Sequence, residues 1–187
     1  MRKLKLQMQV SINGFVAGPA GEMDWMEWNW DDALNEYVAD LTATVDTIIM
    51  GRKLAEGFIP YWAAIAANAD DPQNAAGKQM TDMPKIIFSR TLQKSLWENT
   101  RLATASLSEE IARLKSEPGK DIIVYGGAAF VASLIEQNLI DEYHLFISPV
   151  AVDKGMTIFT SKTNLKLVNT TAFKCGIVVL QYESLKK

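Results

Sequence analysis

Cysteine and histidine are almost absent from this chain: among 187 residues there is one of each, Cys175 and His144. A lone cysteine permits no intrachain disulfide, which fits a reducing compartment and sets the expectation of a cytoplasmic protein. No Cys/His ligand set can be assembled, so no metal site of that kind is expected. A serine or cysteine triad would have only His144 as its base. No stretch of about 18 apolar residues exists, so no membrane span is expected. Met1 to Lys5 is basic, but Gln7, Gln9, Ser11 and Asn13 interrupt the next segment, so no secretory leader is expected either. Positive charge is not in excess: 19 Lys and Arg stand against 22 Asp and Glu, for a net charge of -3. That balance argues against a nucleic-acid partner. An anionic ligand would need its positive charge supplied locally. What is present is ordinary for a globular protein, 48% hydrophobic and 22% charged. The length fits a single domain spanning 1–187.

Strand and helix patterns alternate. Leu4, Leu6, Met8, Val10 and Ile12 alternate with polar residues and read as a strand, broken by Asn13-Gly14. Phe15 to Ala17 resumes a short extended piece. Asp31 or Asp32 caps a helix whose apolar face is Leu34, Tyr37, Val38 and Leu41. Thr47 to Met50 is a continuous apolar run, as expected of a central strand buried on both faces. Ala63 to Met83 is more polar and reads as a surface insertion with some helix. Lys85 to Ser89 is a strand. Ser106 and Glu109 make a capping box for a helix that stops at Pro118-Gly119. Ile122 to Tyr125 is a strand, Gly126-Gly127 opens a helix through about Gln137, and Tyr143 to Ile147 is a strand. Leu165 to Glu183 reads as two strands parted near Lys174 to Gly176. The sum is an α/β architecture: a mixed sheet, mostly parallel, flanked by helices, with an antiparallel C-terminal hairpin at its edge.

Three strand ends carry residues suited to a dinucleotide, and in such sheets ligands sit beyond the carboxyl ends of the strands. Val124-Tyr125-Gly126-Gly127-Ala128 runs a strand into paired glycines and a helix, where backbone N–H groups can face a diphosphate. Alone, that pattern is equally a tight turn without a ligand. Met50-Gly51-Arg52-Lys53 delivers two cations, and Phe88-Ser89-Arg90-Thr91 a hydroxyl, an arginine and a second hydroxyl. A guanidinium fork matches phosphate oxygens, so the 2′-phosphate of NADP is a natural target. Each cation taken singly also fits a solvated strand end.

Five segments occur in one order along the chain: Ser11-Ile12-Asn13-Gly14-Phe15-Val16-Ala17, Met50-Gly51-Arg52-Lys53, Ser89-Arg90-Thr91-Leu92, Gly126-Gly127-Ala128 and Ile140-Asp141-Glu142. The ordered set resembles the dihydrofolate-reductase-like superfamily, and in particular the branch similar to the C-terminal reductase domain of bacterial riboflavin-biosynthesis deaminase/reductase. The resemblance implies a three-layer fold with NADPH lying across the strand ends. By position, Gly51, Arg52, Lys53, Ser89, Arg90 and Thr91 would meet the adenosine phosphates. Gly126, Gly127 and Ala128 would hold the diphosphate, and Gln9 to Ala17 would line the nicotinamide. It also implies hydride transfer to a pyrimidine or pteridine ring, and a homodimer. Three positions depart from the pattern. Tyr125 stands where an acid commonly precedes the glycines, Gln9 where alanine is common, and Asp153-Lys154-Gly155 keeps one glycine of a usual pair.

Substrate-side expectations rest on aromatics. Trp25, Trp28 and Trp30 precede the first helix and either stack on a flat ring, close as a lid, or plug the core. Trp62, beside Tyr61, either forms an opposite wall or packs an insertion. Asp31 and Asp32 are the candidate catalytic acids, since true dihydrofolate reductases use an acid on the first helix. His144 and Cys175 read as structural, Asp141-Glu142 as a turn, and Asp32, Glu36 and Asp40 as a solvated helix face. The competing function is a non-catalytic NADP-binding or interaction protein that keeps the fold.

Overall fold

A computed structural model describes residues 1–26 and 28–185. Strand β1 (Leu4–Ser11) sends Leu4, Leu6, Met8 and Val10 to one face of a sheet and Lys5, Gln7 and Gln9 to the other. Helix α1 (Asp32–Ala43) comes next, then β2 (Val45–Gly51), α2 (Arg52–Ala67) and α3 (Asn74–Asp82). The chain continues through β3 (Lys85–Phe88), β4 (Thr100–Leu102), α4 (Leu107–Ser116), β5 (Asp121–Val124), α5 (Ala128–Glu136) and β6 (Glu142–Ser148). It ends with β7 (Leu165–Ala172) and β8 (Val178–Ser184). The eight strands form one sheet in the order β4-β3-β2-β5-β1-β6-β8-β7. Pairing is parallel from β4 to β6 and antiparallel from β6 through β8 to β7. The mixed sheet and its terminal hairpin are therefore as expected from the sequence.

Two apolar layers sandwich the sheet. On one side, Ile111 and Leu114 of α4 and Val131, Leu134 and Ile135 of α5 pack on Leu4, Leu6, Ile122 and Val124. On the other, Leu41 of α1, Ala55 of α2 and Met80 of α3 pack on Ile48, Met50, Ile87 and Ile123. A third cluster on this second side joins Leu34 and partly buried Trp30 to Phe146, Ile177 and Val179. Tyr37 belongs to both clusters of the second face and links them.

The segment Ala63 to Met83 is not a surface insertion. Helix α2 runs through to Ala67 despite Gly57 and Pro60, and α3 docks on it. A Cβ at Gly77 would lie 2.7 Å from Ile65 and 2.8 Å from the Ala66 nitrogen, so the two helices approach at a glycine. Met80 and Met83 are buried in the core. Strand β4, which no alternation announced, is a three-residue edge piece, half-buried throughout. Asp141 does shape the approach to β6, accepting from the Leu4 nitrogen at 2.8 Å. Glu142 does not serve that turn: it opens β6, buried, and bonds His144.

Candidate active site

Because β5 and β2 are neighbours in the sheet, their carboxyl ends release α5 and α2 from adjacent points onto opposite faces. Each helix starts on a glycine, Gly127 for α5 and Gly51 for α2, and neither N-cap offers a side-chain acceptor. Their first N–H groups are therefore free of the caps that close α1 at Asp31 and α4 at Ser106. A Cβ built at Gly127 meets nothing within 4 Å, so the space in front of α5 is open. Gly126 sits at φ +146, where side chains are strained, with Met8 and Leu54 behind it. The Gly126–Gly127 peptide is cis. Gly51 lies against Phe130 of α5, and Phe130 meets Phe88 of β3 with ring centroids 5.0 Å apart. The three strand ends singled out by sequence thus converge.

Their side chains differ in readiness. Arg52 pairs with Glu56 one turn along α2. Ser89 Oγ accepts from the Thr91 and Leu92 nitrogens at 3.1 and 3.0 Å and so holds its own loop. That loop presents Arg90 and Thr91 to solvent, and Arg90 has no ion-pair partner among the described residues. Lys53 is likewise exposed at the first turn of α2.

Across the sheet, the end of β1 is tied to the loop after β6. Ser11 Oγ donates to Asn13 and accepts from the Phe15 nitrogen, both at 2.9 Å. Asn13 bonds Val152 through both ends of its amide. Ala17 bridges to Met156, and a Cβ at Gly155 would collide with the Ala17 carbonyl. The one glycine retained in Asp153-Lys154-Gly155 is thus the one the backbone requires. Gln9 is 8% exposed and faces the α1/α2 side. Its Oε1 accepts from Ser148 at 3.0 Å, while its Nε2 is buried without a partner. Ser148 carried no local sequence signal; only the parallel register of β1 with β6 brings it to Gln9.

The tryptophans divide. Trp30 stacks on Phe146, the register partner of Gln9, at 5.9 Å, and Trp28 stacks on Trp30 at 5.9 Å. This ladder climbs from the sheet to Trp28, which is 64% exposed. Trp30 therefore covers the core while Trp28 keeps a free ring face. Trp25 is half-buried, and its indole Nε1 has no partner. Trp62 packs edge-on to Phe58, which stacks on Tyr125 at 5.4 Å. Both aromatic walls stand on the Gln9 side of the sheet.

Asp31 is not held as a free acid. One oxygen caps α1 at Leu34, the other accepts from the Cys175 nitrogen at 2.9 Å. The backbone donor at Leu34 leads in holding its carboxyl below the usual range, against the opposing cost of burial. Asp32 is exposed in the first turn of α1. His144 is buried, and it does have a charged neighbour in sequence. Its Nε2 lies 2.7 Å from Glu142 and its Nδ1 2.6 Å from the Tyr37 hydroxyl. Cys175 sits at the β7–β8 turn, as expected.

At the opposite ends of the strands lies a hollow of about 680 Å³ walled by Arg2, Lys115, Glu117 and Gly119. The Arg2 guanidinium there is engaged by Asp46, Thr47 and the Leu114 and Lys120 carbonyls, with the Glu117 carboxylate 4.0 Å away. Among the described residues no helix is long and apolar enough to cross a membrane, and no cluster of His, Cys, Asp and Glu could hold a metal ion.

Comparison with known proteins agrees with this fold. The chain is 32% identical over 186 residues to the uncharacterized protein YyaP of Bacillus subtilis (strain 168), covering 97% of this chain and 94% of YyaP. To YwjB of the same organism, also uncharacterized, it is 28% identical over 181 residues, covering 92% of each. Among solved structures, it overlays a pyrimidine reductase-like protein from Corynebacterium diphtheriae with a TM-score of 0.64 at 14% identity, over 100% of this chain and 93% of that one. It overlays a diaminohydroxyphosphoribosylaminopyrimidine deaminase/5-amino-6-(5-phosphoribosylamino)uracil reductase from Thermotoga maritima with a TM-score of 0.68 at 15% identity. That match spans 98% of this chain and 56% of the larger enzyme. Residues 2–179 match the model of the RibD C-terminal domain, and the chain belongs to that family.

Proposed function

We propose that this protein is a cytoplasmic, NADPH-dependent reductase of a small heterocycle. The substrate class is an aminopyrimidine like that in the reductase name of the Thermotoga enzyme, or a pterin. The observation that carries the reading is the pair of uncapped, glycine-started helix N-termini beside exposed Arg90, which has no ion-pair partner among the described residues. Free N–H groups at the start of α5 suit a diphosphate, and the open space at Gly127 admits one. Arg90 and Lys53, with Arg52 held to Glu56, supply local positive charge in an acidic protein. The bound cofactor would supply a hydride; the protein's task is to orient and desolvate two rings. Trp28 and Trp30, stacked over buried Phe146, give an apolar wall near the end of β1. Asp31 is engaged in backbone bonds, so in this reading water delivers the proton. The family resemblance also proposes a homodimer, which sedimentation velocity tests.

The discriminating experiment is titration with NADPH and NADH. The wild type should prefer NADPH, and NADPH at a hundred times its Kd should stabilise the fold by about 2.7 kcal/mol. Arg90→Ala should cut the preference about tenfold, the worth of one charge-assisted phosphate contact. Arg52→Ala should cut it less, because Glu56 already engages that guanidinium. Full preference in both variants would show the phosphate assignment to be wrong. NADPH binding with no turnover of aminopyrimidines or pterins would assign the non-catalytic role.

A further inference from the structure

We infer that the side-chain amide of Gln9 reads the substrate ring, donating through Nε2 to a ring carbonyl oxygen. The inference rests on the proposed reductase reading for the presence of a ring at this end of the sheet. It adds a chemical class: a lactam-type heterocycle, with a carbonyl where a fully aminated ring has an amino group.

Three observations meet at this residue. First, Gln9 is 8% exposed and Nε2 has no partner, so the amide has been dehydrated without compensation. Leaving a buried donor unmade costs stability, and a ligand acceptor would return that cost. Second, the amide is oriented. Ser148 donates to Oε1 at 3.0 Å, so the acceptor end is occupied and the NH₂ end is the one left to offer. Ser148 is buried too, and no other side chain competes for its hydroxyl among the described residues. Third, the neighbourhood is shaped for a flat ring. On the β6 side Gln9 adjoins Phe146, which carries the Trp30–Trp28 ladder. On the β5 side that strand ends at Val124, the partner of Leu6, so β5 does not reach as far along β1 as Gln9. A donor thus stands between an aromatic wall and a gap. The gap adjoins the N-terminus of α5, but α5 packs on the opposite face of the sheet. The amide therefore faces the aromatic side and not the helix that would hold the diphosphate.

The test compares two rings of one shape, 5,6-diaminouracil and 2,4,5,6-tetraaminopyrimidine, which carry carbonyls and amino groups at the same two positions. Binding of each is measured calorimetrically with and without saturating NADPH, and NADPH binding is measured in parallel. The wild type should bind the diaminouracil at least tenfold more tightly. Gln9→Met should remove that preference by weakening the diaminouracil alone. Gln9→Glu, which accepts but does not donate, should invert it. Ser148→Ala, which frees the amide to turn over, should narrow it by improving the tetraamine, an outcome open even if both Gln9 variants fail to fold. A wild-type preference retained in Gln9→Met, Gln9→Glu or Ser148→Ala overturns the inference, as does equal binding of the two rings by the wild type. A change in NADPH affinity alone overturns it too and leaves the reductase reading standing. A ring preference lost at Gln9 in a protein that binds no NADPH would sustain the inference and sink the cofactor.

Discussion

At Glu142, burial and charge work against each other, and the charge wins. The side chain is 9% exposed, yet it accepts from His144 Nε2 at 2.7 Å, Lys3 Nζ at 3.2 Å and Gln181 Nε2 at 3.2 Å. The bond from His144 leads in pulling its pKa down to about 2, against the opposing cost of burial. A carboxyl depressed this way stabilises the fold above its unfolded pKa, near 4.3, and loses that contribution as pH falls through its folded value. The shift corresponds to about 3 kcal/mol at neutral pH. Glu142→Gln should therefore destabilise the protein by about 2–3 kcal/mol at pH 7, measured by urea denaturation. The gap to wild type should shrink from about pH 5 downward and largely close near pH 2. An equal gap at pH 7 and pH 3 would refute the assignment. This network was legible in principle, because residues two apart on a strand share a face, so Glu142 and His144 are neighbours. The pairing of Gln9 with Ser148 was not, because it depends on a register between strands 139 residues apart.

Among elements, what the chain announces locally is what the structure keeps. The Ser106/Glu109 capping box is fully formed, with each side chain bonded to the other's backbone. The apolar runs at Ile48 to Met50 and Ile122 to Val124 are the central strands, wholly buried. Helix α2 carries Gly57 and Pro60, both poor helix formers that weaken its local signal, and α3 has a polar composition that conceals Gly77 against Ile65. The strand ends were readable as three separate motifs; their meeting at Gly51, Phe88 and Phe130 was set by strand order alone. The paired glycines divide the labour between fold and ligand, and substitution should separate the two. Gly126→Ala puts a side chain at φ +146 and should destabilise by at least about 1 kcal/mol. Gly127→Ala, at φ -66 with open space before it, should cost less stability yet weaken NADPH binding, because its methyl enters the space assigned to the diphosphate. Thermal melts and cofactor titration of both variants decide this. If Gly127→Ala binds NADPH as the wild type does, α5 is not the diphosphate site.

Over the whole molecule, the two ends of the sheet are built to opposite rules. At the amino ends of the strands the charged side chains are paired. Arg2 is shared among Asp46, Thr47 and two carbonyls, Lys5 meets Asp121 at 3.0 Å, and Lys115 pairs with Asp141. At the carboxyl ends groups are left open: two uncapped helix starts, an exposed Arg90 with no ion-pair partner among the described residues, and the orphaned Nε2 of Gln9. Satisfied groups stabilise a fold, whereas unsatisfied ones keep interaction energy in reserve for a ligand. The division yields a prediction that neither end gives alone. Arg2→Met removes the hub of this end while retaining an apolar stem; it takes the guanidinium donor from the Leu114 and Lys120 carbonyls, while the Thr47 hydroxyl keeps its bond to Asp46. Asp46, 38% exposed, can recover water, which limits the cost to about 2–3 kcal/mol. Urea denaturation should show that loss, while NADPH titration of the still-folded protein should return the wild-type Kd, because the opposite end of the sheet is untouched. A matching loss of cofactor affinity in Arg2→Met would mean that the two ends are coupled through the strands and that the division of roles along the sheet is not real.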